Sequence, residues 1–314
     1  MIKYITKEFI QGITMKEAMA SMRVAFSVIS DTQTNLPERT VMEPGPKDAT
    51  VLVMPSSAFG ITGIKITSLY KNNPLRDLPM SQGLMVIINS DTGEPIAILD
   101  AVYLTALRTG GASGLATELL SREASKVLGI FGSSEQAEMQ IAGVMESRAI
   151  EKVIVFARNK EKTYSFCKKM ATKIGAEIAP AENSSDLFEC DIICTATNCC
   201  QPVFEHKYVK PGAHINAIGS YKATCREIPG ETIASSKLIV DQMKAALQEA
   251  GDILIPLHEG LIDPKPIYAE LGEIVSGKKQ GRTSEQEITV FKSVGIAVQD
   301  LALAKLIWDK SLNP

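Results

Sequence analysis

The segment VLGIFGSSEQA, residues 127–137, is the most informative part of this sequence. An apolar run ends at Gly132, and Ser133 and Ser134 follow before residues typical of a helix. Small residues at such a turn let the backbone approach a pyrophosphate, whose charge the amide groups at the helix N-terminus bind. The pattern reads G-x-S-x-x-A, because Ser134 occupies the second glycine position of the usual fingerprint. It predicts a dinucleotide site; a tight turn without a ligand is the alternative.

Strand and helix patterns alternate along the chain around this segment. Predicted strands lie at 126–131, 152–157, 177–180, 191–196, 213–218 and 238–240, and a predicted helix covers 161–174. Such alternation is typical of a parallel sheet built from right-handed βαβ units. We therefore predict an α/β fold in which residues 119–295 form a Rossmann-type, doubly wound, dinucleotide-binding domain.

The chain before this domain shows a different pattern of predicted elements. Residues 14–30 show apolar residues at helical spacing, and Thr14 with Glu17 forms a capping-box pattern. Short strand patterns follow at 51–55, 63–69, 83–89 and 95–99, with a hairpin turn at 91–94 and a helix over 103–120. Residues 284–309 read as a strand or turn that leads into a long helix. An α+β domain with an antiparallel or mixed sheet is predicted here.

The end of the second predicted strand indicates which dinucleotide binds. Enzymes that use NAD place an acid there for the ribose hydroxyl, whereas enzymes that use NADP supply cations for the 2′-phosphate. The sequence reads Ala157-Arg158-Asn159-Lys160, with no acid before Glu161. NADP(H) is therefore the predicted cofactor and NAD(H) the second choice; the alternative for Arg158 is an ordinary surface arginine.

Composition argues against several classes of protein. A formal net charge of −3 gives no overall field that attracts nucleic acid, and 45% hydrophobic with 22% charged residues is typical of a globular protein. The N-terminus shows no signal-peptide pattern, and no apolar stretch reaches the roughly 20 residues that span a bilayer. We expect a cytoplasmic protein without nucleic-acid or membrane partners.

The cysteines and histidines do not predict a metal site. Six cysteines lie at 167, 190, 194, 199, 200 and 225, in no spacing typical of zinc sites, and only three histidines are present. The cysteines are predicted to be reduced thiols in the core and in loops.

Several separated blocks resemble the ornithine cyclodeaminase/mu-crystallin family over nearly the whole chain. These blocks are Leu36–Thr40, Val53–Pro55, Gly63–Lys65, Leu104–Ser113, Leu128–Ala137, Ala213–Ser220 and Thr289–Gly295. The blocks L-T-A-L-R-T and F-K-S-V-G are specific when both occur in this order. The resemblance implies a substrate-binding and dimerisation domain of residues 1–118 and 296–314, into which the Rossmann domain is inserted, and a homodimer. It also implies hydride transfer at the α-carbon of an amino or imino acid.

The resemblance assigns roles to individual residues. Arg39 and Arg108 match the family's carboxylate clamp, for which the forked guanidinium suits two-point binding. Lys65 matches the active-site lysine, and two neighbouring arginines are expected to lower its pKa so that it can move a proton. Val294 and Gly295 are expected to contact the substrate. Cofactor contacts are implied for Arg108, Thr109, Gly132, Ser133, Ser134, Glu135, Gln136, Thr195, Thr197, Ile218 and Ser293. They add to Arg158, Asn159 and Lys160, which the end of the second predicted strand already indicates.

One departure from the family pattern decides the predicted subclass. Cyclodeaminases of the family carry an aspartate shortly after the A-I-G strand, and Tyr221 stands at that position here. A tyrosine, whose pKa is ordinarily about 10, does not replace a carboxylate base near neutral pH. The sequence therefore predicts an NAD(P)H-dependent reductase of small cyclic imino acids, which converts 1-pyrroline-2-carboxylate to proline or its six-membered homologue to pipecolate.

Three alternatives stay open at this point. The first is an alanine-type or N-alkyl amino-acid dehydrogenase, which needs the same clamp and the same hydride geometry. The second is ornithine cyclodeamination. The third is a non-catalytic NADPH-binding protein like mu-crystallin, although such a protein has no need of Arg39, Lys65 and Arg108 together.

Overall fold

The computed structural model describes residues 2–29, 34–45 and 49–312. The chain divides into two compact units: a discontinuous unit of Met1–Arg108 and Ile296–Pro314, and a central unit of Thr109–Gly295. The first division falls inside a helix, α3 (Ala101–Leu120), and the sequence-based boundary after residue 118 lies further along that helix.

The discontinuous unit is built on a six-stranded mixed sheet. Its elements are β1 (Lys3–Ile5), α1 (Lys7–Ile10), α2 (Met15–Ser27), β2 (Thr40–Met42), β3 (Ala49–Ala58), β4 (Ile61–Tyr70), a 3-10 helix (Asn73–Arg76), β5 (Ser81–Asn89), β6 (Pro95–Asp100), the first part of α3, and α10 (Ala297–Leu312). The strand order is β1-β6-β5-β4-β3-β2, in which β1 and β6 are parallel and the other neighbours are antiparallel. The four strands predicted between residues 51 and 99 are confirmed as β3 to β6.

Local sequence signals explain where these elements begin and turn. The Thr14 side chain accepts a hydrogen bond from the Glu17 amide, and the Glu17 carboxylate accepts one from the Thr14 amide, so the predicted capping box starts α2. Gly93 has φ +74° in the turn between β5 and β6. Side chains alternate between the faces of β4, which places Lys65 on a buried position and Ile66 on an exposed one.

The C-terminal helix α10 returns to this sheet from the far end of the chain. Its first residue accepts a hydrogen bond at its carbonyl from Ser56 on β3, at 3.2 Å. A Cβ at position 63 would lie 2.4 Å from Met85 Cε and 2.6 Å from Leu301 Cδ1. Glycine at position 63 of β4 therefore lets α10 pack closely on the sheet.

The central unit contains an eight-stranded sheet in which all neighbouring strands are parallel. Its elements are the rest of α3, β7 (Val127–Phe131), α4 (Glu135–Ser147), β8 (Lys152–Phe156), α5 (Lys160–Ala171), β9 (Glu177–Pro180), a 3-10 helix (Ser184–Glu189), β10 (Ile192–Thr195), a 3-10 helix (His206–Tyr208), β11 (His214–Ala217), α6 (Gly230–Ala234), β12 (Ser236–Val240), α7 (Met243–Glu249), α8 (Gly251–His258), β13 (Ile267–Glu270), α9 (Leu271–Val275) and β14 (Ile288–Lys292).

The strand order of this sheet is β13-β12-β14-β11-β10-β7-β8-β9. From β7 the chain moves to β8 and β9 on one side and then crosses to β10 and β11 on the other. This reversal is the switch point of a doubly wound sheet, where ligands bind beyond the carboxyl ends of the strands. The predicted Rossmann-type α/β fold is confirmed. Two apolar clusters, which include Ile193 and Ile215 in one and Leu128 and Ile141 in the other, form its core.

Among the helices of residues 2–29, 34–45 and 49–312, none is both long and apolar enough to cross a bilayer.

Candidate active site

A buried lysine lies at the centre of the discontinuous unit. Lys65 sits on β4 between its register partners Met54 on β3 and Met85 on β5, and 2% of its surface is exposed. Its Nζ atom lies 2.7 Å from Oδ2 of Asp300 and donates to Oγ1 of Thr105 at 3.3 Å. A buried ammonium needs such partners, because it has lost its hydration.

Asp300 connects this lysine to an arginine. Its carboxylate is fully buried in the first turn of α10; Oδ1 lies 3.0 Å from Nε of Arg108, while Oδ2 contacts Lys65. Arg108, on α3, also donates from Nη1 to Oε1 of Gln299 at 2.6 Å. These two bonds use two of the five N–H donors of the guanidinium and fix its plane.

Arg39 contributes a second guanidinium near this lysine. It lies immediately before β2, whose Thr40 is the register partner of Val53 on β3. Its side chain is half-buried, and its charge acts on Lys65 together with that of Arg108. The structure thus brings together the three residues that the sequence predicted for the substrate site.

The electrostatic balance at Lys65 favours a group that titrates near neutral pH. Burial lowers the pKa of Lys65, Asp300 raises it, and Arg108 and Arg39 lower it, so that it falls to about 8. Burial by itself raises the pKa of Asp300, but Lys65 and Arg108 outweigh burial and hold that pKa below its ordinary value. A lysine of this kind exchanges a proton readily under physiological conditions.

The turn between β7 and α4 has the form that a pyrophosphate site requires. Gly132 has φ +115°, and a Cβ there would lie 2.8 Å from the carbonyl oxygen of Ala196. Ser134 is the N-cap of α4 but makes no side-chain capping hydrogen bond, and among the described residues Nε2 of Gln136 is buried without a hydrogen-bond partner. Positive φ, close backbone approach and uncommitted polar groups fit a dinucleotide phosphate at this turn.

The next turn, between β8 and α5, carries the basic residues predicted for the cofactor. Arg158, Asn159 and Lys160 are exposed there. Oδ1 of Asn159 accepts from the amide of Lys162 at 2.9 Å, so this side chain caps α5. Arg158 and Lys160 therefore supply the positive charge of this turn.

Glu227 joins the loops that follow β10 and β11. Its buried carboxylate accepts hydrogen bonds from Thr195 Oγ1, from the amide and hydroxyl of Thr197, and from the amides of Gly219 and Ser220, at 2.6–3.2 Å. Burial raises the pKa of Glu227, and the hydrogen bond from Thr197 acts against it. The amide of Ile218 donates to the carbonyl of Thr195 at 3.1 Å, so the predicted cofactor residues of these two loops lie side by side.

A second buried carboxylate organises the end of the central unit. Oδ2 of Asp241 accepts from Ser293 Oγ and from the amides of Val294 and Gly295, at 2.8–2.9 Å. Gly295 has φ +76°, which a residue with a side chain rarely adopts. The S-V-G segment is therefore held in one conformation by this carboxylate.

Residues 5–313 match the model of the ornithine cyclodeaminase/mu-crystallin family. The chain belongs to this family. The resemblance that the separated sequence blocks indicated is thus confirmed.

Known relatives cover almost the whole chain. A Delta(1)-pyrroline-2-carboxylate reductase from Bacillus cereus is 40% identical over 305 residues, which are 96% of this chain and 94% of that protein. The Thermococcus litoralis Delta(1)-pyrroline-2-carboxylate reductase, solved with NADH and L-proline, is 38% identical with a TM-score of 0.95 and covers 99% of this chain and 98% of that one. An archaeal alanine dehydrogenase dimer with bound NAD is 30% identical with a TM-score of 0.93, covering 99% and 96%.

Sequence reasoning missed the carboxylates that hold these residues in place. Asp300, with Gln299, was not predicted, and neither were Asp241 and Glu227, although all of them are fully buried. One signal was available: Gln299 and Asp300 interrupt an otherwise apolar run from Val294 to Ala304. For Glu227 and Asp241 the sequence offered none, because charged residues after a strand are usually solvated.

The prediction that all cysteines are reduced is also wrong. Cys200, in the loop after β10, and Cys225, in the loop after β11, form a disulfide with a Cα–Cα distance of 4.0 Å. The two strands are parallel neighbours, so their carboxyl ends, and the loops that follow them, meet at one edge of the sheet. The other four cysteines are free thiols.

No cluster of three or more histidine, cysteine, aspartate or glutamate side chains with the arrangement of a metal site occurs in the part of the chain that the structure describes.

We predict that Glu227→Ala lowers the free energy of unfolding by about 3 kcal/mol, because several buried donors lose their acceptor at once. A thermal denaturation followed by circular dichroism should show a decrease in Tm of roughly 6–12 °C. Glu231→Ala is the matched control, since this glutamate lies on α6 in the same region and is exposed. Equal Tm values for the two variants would contradict the role of Glu227 as an anchor of both loops.

Proposed function

We propose that this protein is an NAD(P)H-dependent reductase of small cyclic imino acids, with 1-pyrroline-2-carboxylate as the substrate and L-proline as the product. The observation that carries the proposal is a buried lysine of lowered pKa beside two guanidinium groups, Arg39 and Arg108. Such a site suits a small carboxylate whose neighbouring nitrogen exchanges a proton. The Bacillus cereus and Thermococcus litoralis relatives carry this reductase name and cover nearly the whole chain.

In the proposed site the two arginines bind the substrate carboxylate. A guanidinium offers paired N–H donors that match the two oxygens of a carboxylate. Arg108 is already oriented by Asp300 and Gln299, so little side-chain entropy is lost when it binds. The fixed carboxylate in turn restricts the position of the C=N bond, because the carboxylate is attached directly to the carbon of that bond.

Lys65 is the proposed general acid. Its ammonium group gives a proton to the imine nitrogen, which makes the neighbouring carbon more electrophilic. A pKa of about 8 leaves it charged at neutral pH while keeping the proton easy to release. Val294 and Gly295, fixed by Asp241, are proposed to contact the substrate.

The nicotinamide dinucleotide supplies the hydride in this reaction when it is bound. The residues proposed to hold it are those of the β7–α4 turn, Gly132 to Gln136, with Arg108, Thr109, Thr195, Thr197, Ile218 and Ser293. Glu227 keeps the two threonine hydroxyls in one orientation. We propose NADP(H) as the preferred form. Arg158 and Lys160 provide positive charge at the turn after β8, and residues 157–160 of this turn include no acid.

The alternatives differ in what they require. An alanine-type dehydrogenase, the activity that names one structural relative, requires ammonium with an open-chain keto acid. Cyclodeamination of ornithine requires a base at position 221, and the half-buried ring of Tyr221 packs instead against the apolar core of the central unit. A non-catalytic NADPH-binding protein requires no proton donor, whereas Lys65 has the burial and charge environment of one.

The deciding experiment is NADPH and NADH oxidation followed at 340 nm with purified protein. 1-Pyrroline-2-carboxylate is tested with and without ammonium, beside pyruvate with ammonium and ornithine with NAD. We expect turnover of the cyclic imine that does not depend on ammonium. Activity on pyruvate or ornithine alone would replace this proposal with the corresponding alternative, and nucleotide binding without any turnover would favour the binding protein.

The carboxylate clamp is tested by Arg39→Ala and Arg108→Lys. Each removes forked hydrogen bonds worth about 3 kcal/mol, so kcat/KM for the imine should fall roughly 100-fold, mainly through KM. The lysine variant keeps the positive charge beside Asp300 and so limits damage to the fold. Arg76→Ala, at an exposed arginine of the 3-10 helix, is the control. Unchanged KM values in both clamp variants would eliminate the clamp.

The cofactor preference is tested by Arg158→Ala. Loss of one charge-assisted contact to the 2′-phosphate, about 1.5 kcal/mol, should raise KM for NADPH about tenfold and leave KM for NADH unchanged. Lys168→Ala, at an exposed position of α5, should change neither value. If Arg158→Ala affects both cofactors equally, the preference for NADP does not depend on this residue.

We further propose that the protein is a homodimer formed through the discontinuous unit. Ile66 on β4 and Leu84 on β5 are register partners, and they are 42% and 45% exposed. Adjacent exposed apolar side chains on a sheet favour association, and the related alanine dehydrogenase was solved as a dimer.

Ile66→Glu should therefore give monomers in size-exclusion chromatography with light scattering. Tyr164→Glu, at an exposed residue of α5, should leave the dimer intact.

A further inference from the structure

The charged groups that face Lys65 come from three separate segments. Arg39 lies beside β2 and Arg108 lies on α3, and both are cations; Asp300 comes from α10 and is an anion. Thr105, which is neutral, accepts from Nζ at 3.3 Å. The protonation state of Lys65 therefore depends on a competition between two guanidinium groups and one carboxylate.

Without the carboxylate of Asp300, the neutral form of Lys65 would be favoured. It is buried and it lies near two permanent cations, and both conditions disfavour the charged form. A neutral lysine has no proton to give to an imine. Retaining the proton in this site requires a compensating negative charge in direct contact, and the Oδ2 atom of Asp300 provides it at 2.7 Å.

The geometry gives Asp300 a second effect on the same site. Its two oxygens contact different partners, Lys65 Nζ and Arg108 Nε, so one carboxylate sets the separation of the proton donor and the carboxylate clamp. The carboxylate itself is held by the packing of α10 against β3 and β4. The closeness of that packing depends on Gly63, which lies two residues before Lys65 on β4.

We propose that Asp300 is a positioning residue of the reaction, which keeps Lys65 protonated in the free enzyme and aligned with Arg108. This inference rests on the proposed imine reduction. In that reaction the imine nitrogen takes a proton from Lys65 and the imine carbon takes the hydride, so the C=N bond becomes a C–N single bond. Lys65 is left neutral until solvent returns a proton. Asp300 stays ionised throughout and forms no bond to the substrate.

The two directions of the reaction require opposite protonation states of Lys65. Imine reduction needs protonated Lys65, so its rate should fall as pH rises through about 8, the pKa of this lysine. Oxidation of L-proline needs neutral Lys65, so its rate should rise over the same range. We call the falling part of the imine-reduction profile and the rising part of the proline-oxidation profile the two limbs. Removing the charge of Asp300 lowers the lysine pKa, and both limbs should then move together toward lower pH.

The test is Asp300→Asn, which keeps the shape of the side chain and removes its charge. The pH profiles of kcat/KM are measured for imine reduction and for proline oxidation. Both limbs should move down by about one pH unit or more, the shift expected when an opposite charge in contact is removed. At pH 8, the protonated fraction of Lys65, and with it the rate of imine reduction, should fall about fivefold or more relative to the unaltered enzyme. A uniform loss of rate with unmoved limbs would show a merely structural role and overturn the proposal.

Two further variants keep the test decisive. Asp309→Asn is the matched control, because Asp309 lies on the same helix and pairs with Lys305 at the surface; it should leave both limbs in place. Asp300→Glu retains the negative charge, so its limbs should stay near those of the unaltered enzyme even if its rate is lower. If Asp300→Asn does not fold, a displaced limb in Asp300→Glu would count against the proposal.

A measurement without turnover separates this inference from the proposed function. Lysine labelled with ¹³C at Cε reports the titration of each ammonium group by NMR, and Lys65→Met assigns the signal of Lys65. The signal should titrate at lower pH in Asp300→Asn than in the unaltered protein. Equal titrations would overturn the role of Asp300. Lack of imine turnover with a shifted titration would overturn the proposed substrate and leave the effect of Asp300 on Lys65 established.

Discussion

A single buried carboxylate, Asp300, is the constraint on which the discontinuous unit depends. It contacts Lys65 and Arg108, so three ionised groups lie almost without solvent in one cluster. Burying charge is costly, and removing one partner from such a cluster leaves the others uncompensated, at about 3–5 kcal/mol. The cluster therefore forms only when β4, α3 and α10 are all in place. Residues that lie far apart in the sequence must fold together to complete it.

The central unit uses buried carboxylates in a related way. Glu227 and Asp241 each accept several hydrogen bonds from backbone amides and hydroxyl groups that follow the carboxyl ends of strands. Asp252 accepts from the amides of Glu227 and Ile228 and pairs with Lys292 at 2.8 Å. Loops at this edge of a doubly wound sheet carry the ligand contacts, and they would otherwise be mobile. The buried acids hold these loops in fixed conformations, and Glu227 holds two of them together.

This arrangement separates the two parts of the chemistry. The discontinuous unit contains the charged groups that are proposed to bind a carboxylate and to move a proton, whereas the central unit contains the small residues and fixed loops that suit a dinucleotide. Tyr221, at the position where the resemblance implies an aspartate in cyclodeaminases, lies in the central unit and packs against its apolar core.

The sequence by itself determined the fold class, most of the central strands and the family, because hydrophobic periodicity and the β7–α4 turn are local signals. It also indicated Lys65, Arg39 and Arg108 through the family resemblance. The sequence did not reveal the short elements β1, β2 and β13, which have little periodicity, or the disulfide between Cys200 and Cys225. Only the tertiary structure decided that Asp300, Glu227 and Asp241 are buried and what they bind. The physical reason is that the burial of a charge depends on partners from distant segments, and no local pattern encodes where those partners will lie.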